Sequence, residues 1–334
     1  MTATDLTMND AAVDDAPPPL VRPLSDGPVD VIADVHGELG LLTDLLRHLG
    51  YDGAGVHPAG RRLVFLGDLV DRGPDSPGVV ALVARLVAAG RAQCVVGNHE
   101  LNLLLRKRKA DNLWFYGEPV PDGVATLDTD ADREAMLAFF ATLPMALRRP
   151  DLRAVHACWD EGAIDAAAAA SAAVDLFGEE RRRIDDELAR ELATNEVDRN
   201  LAHQNRNAVK VLTSGPEHRA AAPFEAGGKL RLEARRPWWN DYRGPVFCVF
   251  GHYWRTPVKG LRHGDDPFDG TPLHAPLGAG RAMCIDYSAG GRATQRRERV
   301  TPFTTTLCAL RWPEATLMFD DGRALDLPIE RPRS

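Results

Sequence analysis

The chain has 334 residues, of which 44% are apolar, and its formal net charge is −8. This length and apolar content suffice for one large domain, or two ordinary ones, with a substantial core. The acidic balance argues against a protein that holds nucleic acid through a basic surface, so no stable nucleic-acid complex is expected. One phosphate can still bind in a locally positive pocket.

The N-terminal segment 1–28 is acidic, and it carries Pro17-Pro18-Pro19 where a signal peptide would be apolar. Because such a segment cannot form a packed core, we predict a disordered leader over residues 1–28 and one globular domain over residues 29–334. No apolar run reaches the ~20 residues that span a bilayer, so no membrane partner is expected. The five cysteines are scattered and odd in number, which favours a reducing compartment and therefore a cytoplasmic protein.

The first part of the chain repeats one pattern three times: an apolar strand, a polar cluster and a helix. The predicted strands and helices alternate over residues 29–33, 39–49, 63–66, 79–88, 93–96 and 101–108. The polar clusters between them contain Asp34 and His36, then Asp68, Asp71 and Arg72, then Asn98 and His99. The alternation predicts an α/β layered fold, in which ligands bind beyond the carboxyl ends of the strands.

The remaining elements are predicted with less regular spacing. A helix is expected over 133–143, and a short strand at 154–155 leads to His156. The alanine- and charge-rich segment 160–212 is predicted to form two or three helices as an insert or cap, and 223–240 is predicted to be irregular. A strand at 246–250 ends in Gly251-His252, and further strands are expected at 282–287, 305–310 and 315–319.

Six side chains at the predicted strand ends form a candidate metal-ligand set: Asp34, His36, Asp68, Asn98, His156 and His252. Carboxylate and amide oxygens and imidazole nitrogens bind divalent metals at about 2.0–2.2 Å. Asp34 and His36 alternate on an extended segment and can face one side, while Asp68 can bridge two metals. Two cations about 3.5–4 Å apart would clamp a phosphate and generate a bridging hydroxide that attacks phosphorus in line.

Three neighbouring residues are candidates for catalysis. Arg72 can donate two hydrogen bonds to phosphate oxygens, and His99 can protonate the leaving oxygen. Asp71 can hold the other ring nitrogen of His99 and keep the ring protonated. The alternatives are that His99 only orients Asn98, that Asp71 is a turn residue and that Arg72 forms a surface ion pair. Glu100 is expected to be only a carboxylate of the first helical turn.

The motifs Asp34-Val35-His36-Gly37, Gly67-Asp68-Leu69-Val70-Asp71-Arg72-Gly73 and Gly97-Asn98-His99-Glu100 resemble those of the calcineurin-like metallophosphoesterases, in the branch of the phosphoprotein phosphatases. His156 and Gly251-His252 match that family's two later histidines. The resemblance implies a four-layer α/β/β/α sandwich, here with a helical insert at about 160–212. It also implies a centre of two divalent metal ions, with manganese expected first and iron or zinc as alternatives.

A narrower resemblance concerns three longer segments. "LGYDGAGVHPAGRRLVFLGDLVDRGPDSP" is similar to the bacterial bis(5′-nucleosyl)-tetraphosphatases and to the phosphatase domain of bacterial polynucleotide kinase-phosphatases. "PWWNDYRGPVFCVFGH" and "CIDYSAGG" are similar to the latter group. The chain departs from the family at Val96, where protein phosphatases carry arginine. It also departs at Trp159 after His156, and at Tyr253-Trp254-Arg255, which follow His252.

These features predict a two-metal phosphoesterase that hydrolyses an ester or anhydride of a nucleotide or another small phosphorylated compound. Val96 and the narrower resemblance favour this substrate class over phosphoserine and phosphothreonine in proteins. The alternatives are a serine/threonine protein phosphatase and a scaffold that recognises phosphate without cleaving it. The scaffold is disfavoured because no ligand and no acid of the motifs is missing.

Overall fold

The computed structural model describes residues 17–191, 195–226, 229–256 and 266–329. Its strands are β1 (Val21–Pro23), β2 (Val29–Ile32), β3 (Arg62–Phe65), β4 (Ala92–Cys94), β5 (Ala146–Arg148), β6 (Leu152–Val155), β7 (Glu217–Ala226), β8 (Lys229–Arg235), β9 (Phe247–Phe250), β10 (Ala282–Cys284), β11 (Cys308–Trp312), β12 (Thr316–Phe319) and β13 (Ala324–Asp326). Its α-helices are α1 (Leu39–Leu49), α2 (Ser76–Ala88), α3 (Asn98–Leu104), α4 (Asp130–Ala141), α5 (Glu161–Ala168), α6 (Ala173–Arg190), α7 (Glu196–Arg206), α8 (Ala208–Ser214) and α9 (Arg292–Arg297).

Two mixed sheets form the centre of the molecule. One has the strand order β13-β12-β11-β2-β3-β4, and the other has the order β1-β5-β6-β9-β10. Strands β2, β3 and β4 run parallel, and so do β6, β9 and β10. The carboxyl ends within each parallel set therefore lie at one edge of their sheet, which is where the sequence predicted the polar clusters.

The sheets pack face to face, and helices cover their outer sides. Val31 and Val64 of the first sheet share an apolar core with Val249 and Met283 of the second. A second core joins helix residues to the outer faces, for example Leu45 of α1 to the first sheet. With helices of the insert on the other side, these layers confirm the predicted α/β/β/α sandwich.

The first helices illustrate how the sequence sets these elements. In α1 the buried leucines recur at helical spacing, and Gly50 ends the helix in the left-handed conformation, at φ 94°. The helix begins and ends as predicted. Helix α2 starts earlier than predicted, because the Asp75 side chain accepts a hydrogen bond from the Gly78 N–H and caps it.

Three predictions about local structure were wrong. The leader prediction extends too far, since Val21–Pro23 pairs with β5 and the apolar side chains of Leu20 and Leu24 are buried; residues 1–16 lie outside the described ranges. The insert contains four described helices, because the Ala-rich tract ends a helix at Ala168 and new caps at Asn195 and Asn207 start others.

The segment expected to be irregular instead contributes to a two-stranded hairpin of β7 and β8. Strand β8 alternates apolar Leu230, Leu232 and Ala234 with charged residues, which is typical of a strand. The 3₁₀ turn Trp238–Asn240 follows it. In the described ranges, no helix combines the length and the apolar character required to cross a membrane.

Candidate metal centre

The predicted ligands come from both sheets. Asp34 and His36 follow β2, and Asp68 follows β3. Asn98 and His99 open α3, directly after β4, while His156 follows β6 and His252 follows β9. The two packed sheets deliver these strand ends to one place, and the side chains of all but the partly exposed Asn98 are buried. Residues separated by more than 200 positions are thereby brought together.

Asp68 lies at the centre of the cluster. Its Oδ2 lies 3.6 Å from Nε2 of His36, and its Oδ1 lies 3.4 Å from Nε2 of His156. In the described ranges, two of the three groups of potential ligand atoms within 4.8 Å of one another contain Asp68, namely His36, Asp68 and His99, and Asp68, His156 and His252. Asp68 belongs to both groups, and its two oxygens face different histidines. This arrangement supports the prediction that Asp68 bridges two metals.

Asp34 and Asn98 lie at the edge of the cluster, beside His252 and His156. The Asp34 carboxylate accepts a hydrogen bond from the main-chain N–H of His252, with the nitrogen 3.0 Å from Oδ2. Asn98 Oδ1 lies 3.3 Å from Nε2 of His156. Asp34 is thus beside the two three-residue groups rather than a member of either.

Backbone carbonyls fix the orientation of two imidazoles. Nδ1 of His36 lies 3.0 Å from the Val70 carbonyl, and Nδ1 of His156 lies 2.7 Å from the Leu66 carbonyl. Because a carbonyl only accepts hydrogen bonds, Nδ1 is the donor in both rings. Nε2 of each ring therefore faces the cluster with its lone pair available in the neutral form, as metal-binding histidines require.

His99 and Asp71 form a buried pair. Nδ1 of His99 lies 2.5 Å from Oδ2 of Asp71, and the other Asp71 oxygen accepts a hydrogen bond from Nε1 of Trp114. Burial by itself lowers the pKa of His99, but the Asp68 charge and the hydrogen bond to Asp71 outweigh it and raise that pKa. The geometry therefore matches a histidine held in its protonated form by a carboxylate.

Arg72 lies across the opening of the cluster. Its guanidinium nitrogens lie 3.0 Å from Nε2 of His36 and 3.2 Å from Nε2 of His99. It also stacks on the indole of Trp254 at 4.7 Å, and Trp254 is 43% exposed. Burial and then the Arg72 charge lower the pKa of His36, which favours the neutral ring that a metal needs. The guanidinium is consequently placed between the buried ligands and solvent.

The centre concentrates buried charge. Burial and the charge of Asp286 raise the pKa of Asp34, while His156 and His99 hold the pKa of Asp68 low against the effect of burial. Burial opposes protonation of His156, but Asp68 and Asp34 raise its pKa to about 10. Buried carboxylates without compensating positive charge are very costly, so this set of acids favours bound cations.

Two glycines provide the room for these carboxylates. A Cβ at Gly251 would lie 2.0 Å from Oδ1 of Asp34, and a Cβ at Gly97 would lie 2.3 Å from Oδ1 of Asp68. Only glycine fits at either position. Oxygen and imidazole donors without a thiolate suit manganese, iron or zinc, so the residues present fit a pair of divalent metal ions.

The sequence analysis did not predict the roles of two acidic residues of the site, Glu100 and Asp286. Glu100 is fully buried and accepts hydrogen bonds from the main-chain N–H groups of Gly97, Asp68 and Leu69 at 2.8–2.9 Å. It was correctly placed in the first helical turn, but it also fixes the loop that carries Asp68. Asp286, after β10, was not singled out. The available signal was its place behind an apolar strand, which is the pattern that identified Asp34.

The aromatic and basic residues near the two later histidines have different environments. Trp159, Trp238 and Trp239 are buried, and Nε1 of Trp238 donates to the Ala157 carbonyl. These three tryptophans pack in the core. Arg255 is also buried and donates to main-chain carbonyls, including that of Ala275 at 3.0 Å. Trp254 alone of these residues is exposed beside the cluster.

The chain is similar to several known proteins. The chain is 27% identical over 300 residues to an asymmetrical bis(5′-nucleosyl)-tetraphosphatase of Geobacillus thermodenitrificans, covering 86% of this chain and 91% of that protein. It is 29% identical over 240 residues to the Bacillus subtilis protein of the same name, covering 69% and 79%. A solved cold-active protein-tyrosine phosphatase of Shewanella aligns with a TM-score of 0.46 at 14% identity, covering 91% of this chain and 81% of that one.

A family model described as calcineurin-like phosphoesterase matches residues 27–255, which is more than half of the chain. This span includes every strand end that contributes a candidate ligand. Members of this family use a dinuclear metal centre, and the buried aspartate and histidine groups around Asp68 are candidate ligands for it. The chain therefore belongs to the calcineurin-like phosphoesterase family and is a metal-dependent hydrolase of phosphate esters or anhydrides.

Proposed function

We propose that this protein hydrolyses a phosphoanhydride or phosphoester of a nucleotide, with Asp34, His36, Asp68, Asn98, His156 and His252 as its metal ligands. The observation that carries the proposal is the position of Asp68, whose two oxygens face histidines of separate groups. Two divalent cations, manganese in the first instance, would supply Lewis-acid stabilisation of phosphate oxygens and activation of water.

Arg72 is the proposed phosphate-binding residue. Its guanidinium can donate several hydrogen bonds in one plane, which suits the oxygens of a phosphate. In the structure these N–H groups point to Nε2 of His36 and Nε2 of His99. A phosphate bound by Arg72 would therefore lie beside the rings of His36 and His99. This position would place the leaving oxygen within reach of the His99 proton.

His99 is the proposed proton donor to the leaving oxygen. Asp71 holds Nδ1 of the ring, so Nε2 is the atom from which the proton would leave. Trp114 in turn fixes the Asp71 carboxylate, which keeps the pair aligned. A positioned acid of this type contributes about 10²- to 10⁴-fold to the rate.

Two observations support a nucleotide substrate over a phosphoprotein. The relatives that align with this chain over 91% and 79% of their own length are named bis(5′-nucleosyl)-tetraphosphatases. Val96, the residue before the Gly97-Asn98-His99-Glu100 motif, is a buried apolar side chain and cannot bind phosphate. A serine/threonine phosphatase activity is the second candidate. The five cysteines, all buried and unpaired, support the proposal of a reducing compartment such as the cytoplasm.

The test is a parallel assay of the manganese-loaded protein on a dinucleoside tetraphosphate and on a phosphoserine peptide. We expect faster turnover of the nucleotide, together with about two metal ions per chain by elemental analysis. The Asp68→Asn variant should lose turnover while keeping the circular dichroism spectrum of the wild type. A higher rate on the peptide would refute the substrate class, and full activity of Asp68→Asn would refute the proposed centre.

A further inference from the structure

Strand β10 places one more acid at the edge where the ligands meet. Asp286 is the second residue after β10, just as Asp34 is the second after β2 and His252 the second after β9. The main-chain N–H of Ile285 donates to the Phe250 carbonyl at 2.9 Å, which continues the parallel pairing of β10 with β9. Asp286 consequently lies beside His252.

The carboxylate of Asp286 is only half satisfied by the protein. The residue is 1% exposed, and its Oδ1 accepts a hydrogen bond from the Ser288 N–H at 2.8 Å. Oδ2 is buried, and it has no hydrogen-bond partner within the described ranges. The Ser288 hydroxyl is unpartnered in the same way. Buried carboxylate oxygens are normally paired with donors or cations, so this oxygen requires an explanation.

The charged groups around Asp286 indicate what compensates this oxygen. Among the charged neighbours of Asp34, Asp286 exerts the largest repulsion, ahead of Asp68. Asp286 also lies in the fields of Arg72 and Arg235, but within the described ranges its Oδ2 forms no hydrogen bond to either. The charges of three buried carboxylates, those of Asp34, Asp68 and Asp286, thus repel one another at the strand ends. A protein retains such an arrangement at a cost to its stability unless a cation compensates it.

We propose that Asp286 is a further acidic residue of the divalent-cation centre, and that its negative charge strengthens cation binding next to Asp34. The inference rests on the proposed function, because it assumes that cations bind among the predicted ligands. Specifically, the Asp286 carboxylate lowers the stability of the metal-free protein and raises the affinity of the protein for the cations.

The test compares Asp286→Asn with the wild type by calorimetric titration with Mn²⁺ and by urea denaturation in a chelator. Asparagine keeps the shape and the Oδ1 acceptor for Ser288 but removes the charge. We expect Mn²⁺ affinity to fall by about 10- to 100-fold, the range seen when residues that support metal ligands are changed. The urea midpoint of the metal-free variant should equal or exceed that of the wild type.

Asp320→Asn is the matched control. Asp320 is also largely buried, but it is fully engaged in protein contacts, with the Leu307 N–H at 2.9 Å and Arg292 at 3.1 Å. Its variant should lose stability and keep wild-type Mn²⁺ affinity.

Unchanged affinity in Asp286→Asn, or a metal-free variant that unfolds at lower urea or fails to fold, would overturn the inference in favour of a structural role. If the wild type itself binds no Mn²⁺, the proposed function fails as well, so the two failures are distinguishable.

Discussion

Replacement of Glu100 by glutamine tests how the protein holds the loop that carries Asp68. One Glu100 oxygen accepts the N–H groups of Asp68 and Gly97, and the other accepts that of Leu69. Glutamine has one acceptor oxygen. If that oxygen accepts the N–H groups of Asp68 and Gly97, the new NH₂ group faces the Leu69 N–H. Two hydrogen-bond donors then point at each other. A buried donor left unsatisfied costs about 1–3 kcal/mol, so we expect that loss in the free energy of unfolding.

Urea denaturation in a chelator, followed by tryptophan fluorescence, measures this change without a contribution from metal binding. Glu134→Gln is the control, because Glu134 pairs with Arg106 on the surface and its side chain is 65% exposed. That variant should change stability by about 0.5 kcal/mol or less. If Glu100→Gln unfolds at the same urea concentration as the wild type, the three hydrogen bonds do not stabilise this loop and the reasoning is refuted.

Three further outcomes are expected. Asp71→Asn should lower kcat by about 10²- to 10⁴-fold with little change in Mn²⁺ affinity, measured by steady-state kinetics and titration, because it removes the charge that holds the His99 proton; an equal loss of affinity would contradict this. Gly251→Ala should weaken Mn²⁺ binding in calorimetry, since its Cβ would lie 2.0 Å from the Asp34 carboxylate; wild-type affinity would show that the loop moves freely. Trp254→Ala should raise KM by about two- to fivefold, which corresponds to the energy of an exposed cation–π contact, while Trp254→Phe should have a KM near that of the wild type. A change confined to kcat would exclude a role of Trp254 in holding Arg72.

The sequence was most informative where local pattern and tertiary environment agree. Helix α1 was predicted with its observed bounds, because its leucines recur at helical spacing and Gly50 supplies the left-handed residue that ends it. The ligands Asp34, Asp68 and His252 were found because each follows an apolar strand directly. In these segments the apolar residues that pack in the core are followed directly in the chain by the residues that end the helix or strand.

The sequence was least informative where a residue's partners are distant. Glu100 bonds to the main chain of Asp68 and Leu69, more than 30 positions away, and main-chain donors leave no trace in a sequence. The hairpin of β7 and β8 was missed because the alternation of Leu230, Leu232 and Ala234 is short and lies among charges. Asp286 was missed because the predicted strand 282–287 included it, whereas β10 ends at Cys284 and leaves Asp286 at the strand end.

Left-handed backbone conformations are concentrated at the site, where six of the ten described non-glycine residues with positive φ lie. Six non-glycine residues of the site have φ values between 48° and 72°, namely His36, Asp68, Asp71, Arg72, His252 and Ser288. Such conformations are uncommon outside glycine and cost about 1–3 kcal/mol each. They persist only where surrounding contacts enforce them. The hydrogen bond that the Gly73 N–H donates to the His36 carbonyl, at 2.8 Å, is one such contact.

Five of these six are predicted site residues, and the sixth supports the Asp286 carboxylate. Sheet stability alone does not require this strain, because a loop with relaxed backbone could connect the same strands. The strained residues instead follow four strands, β2, β3, β9 and β10, whose carboxyl ends meet at the candidate metal centre. The rigid two-sheet core is what can hold so many strained residues at once, which explains why the centre lies at the carboxyl ends of its strands.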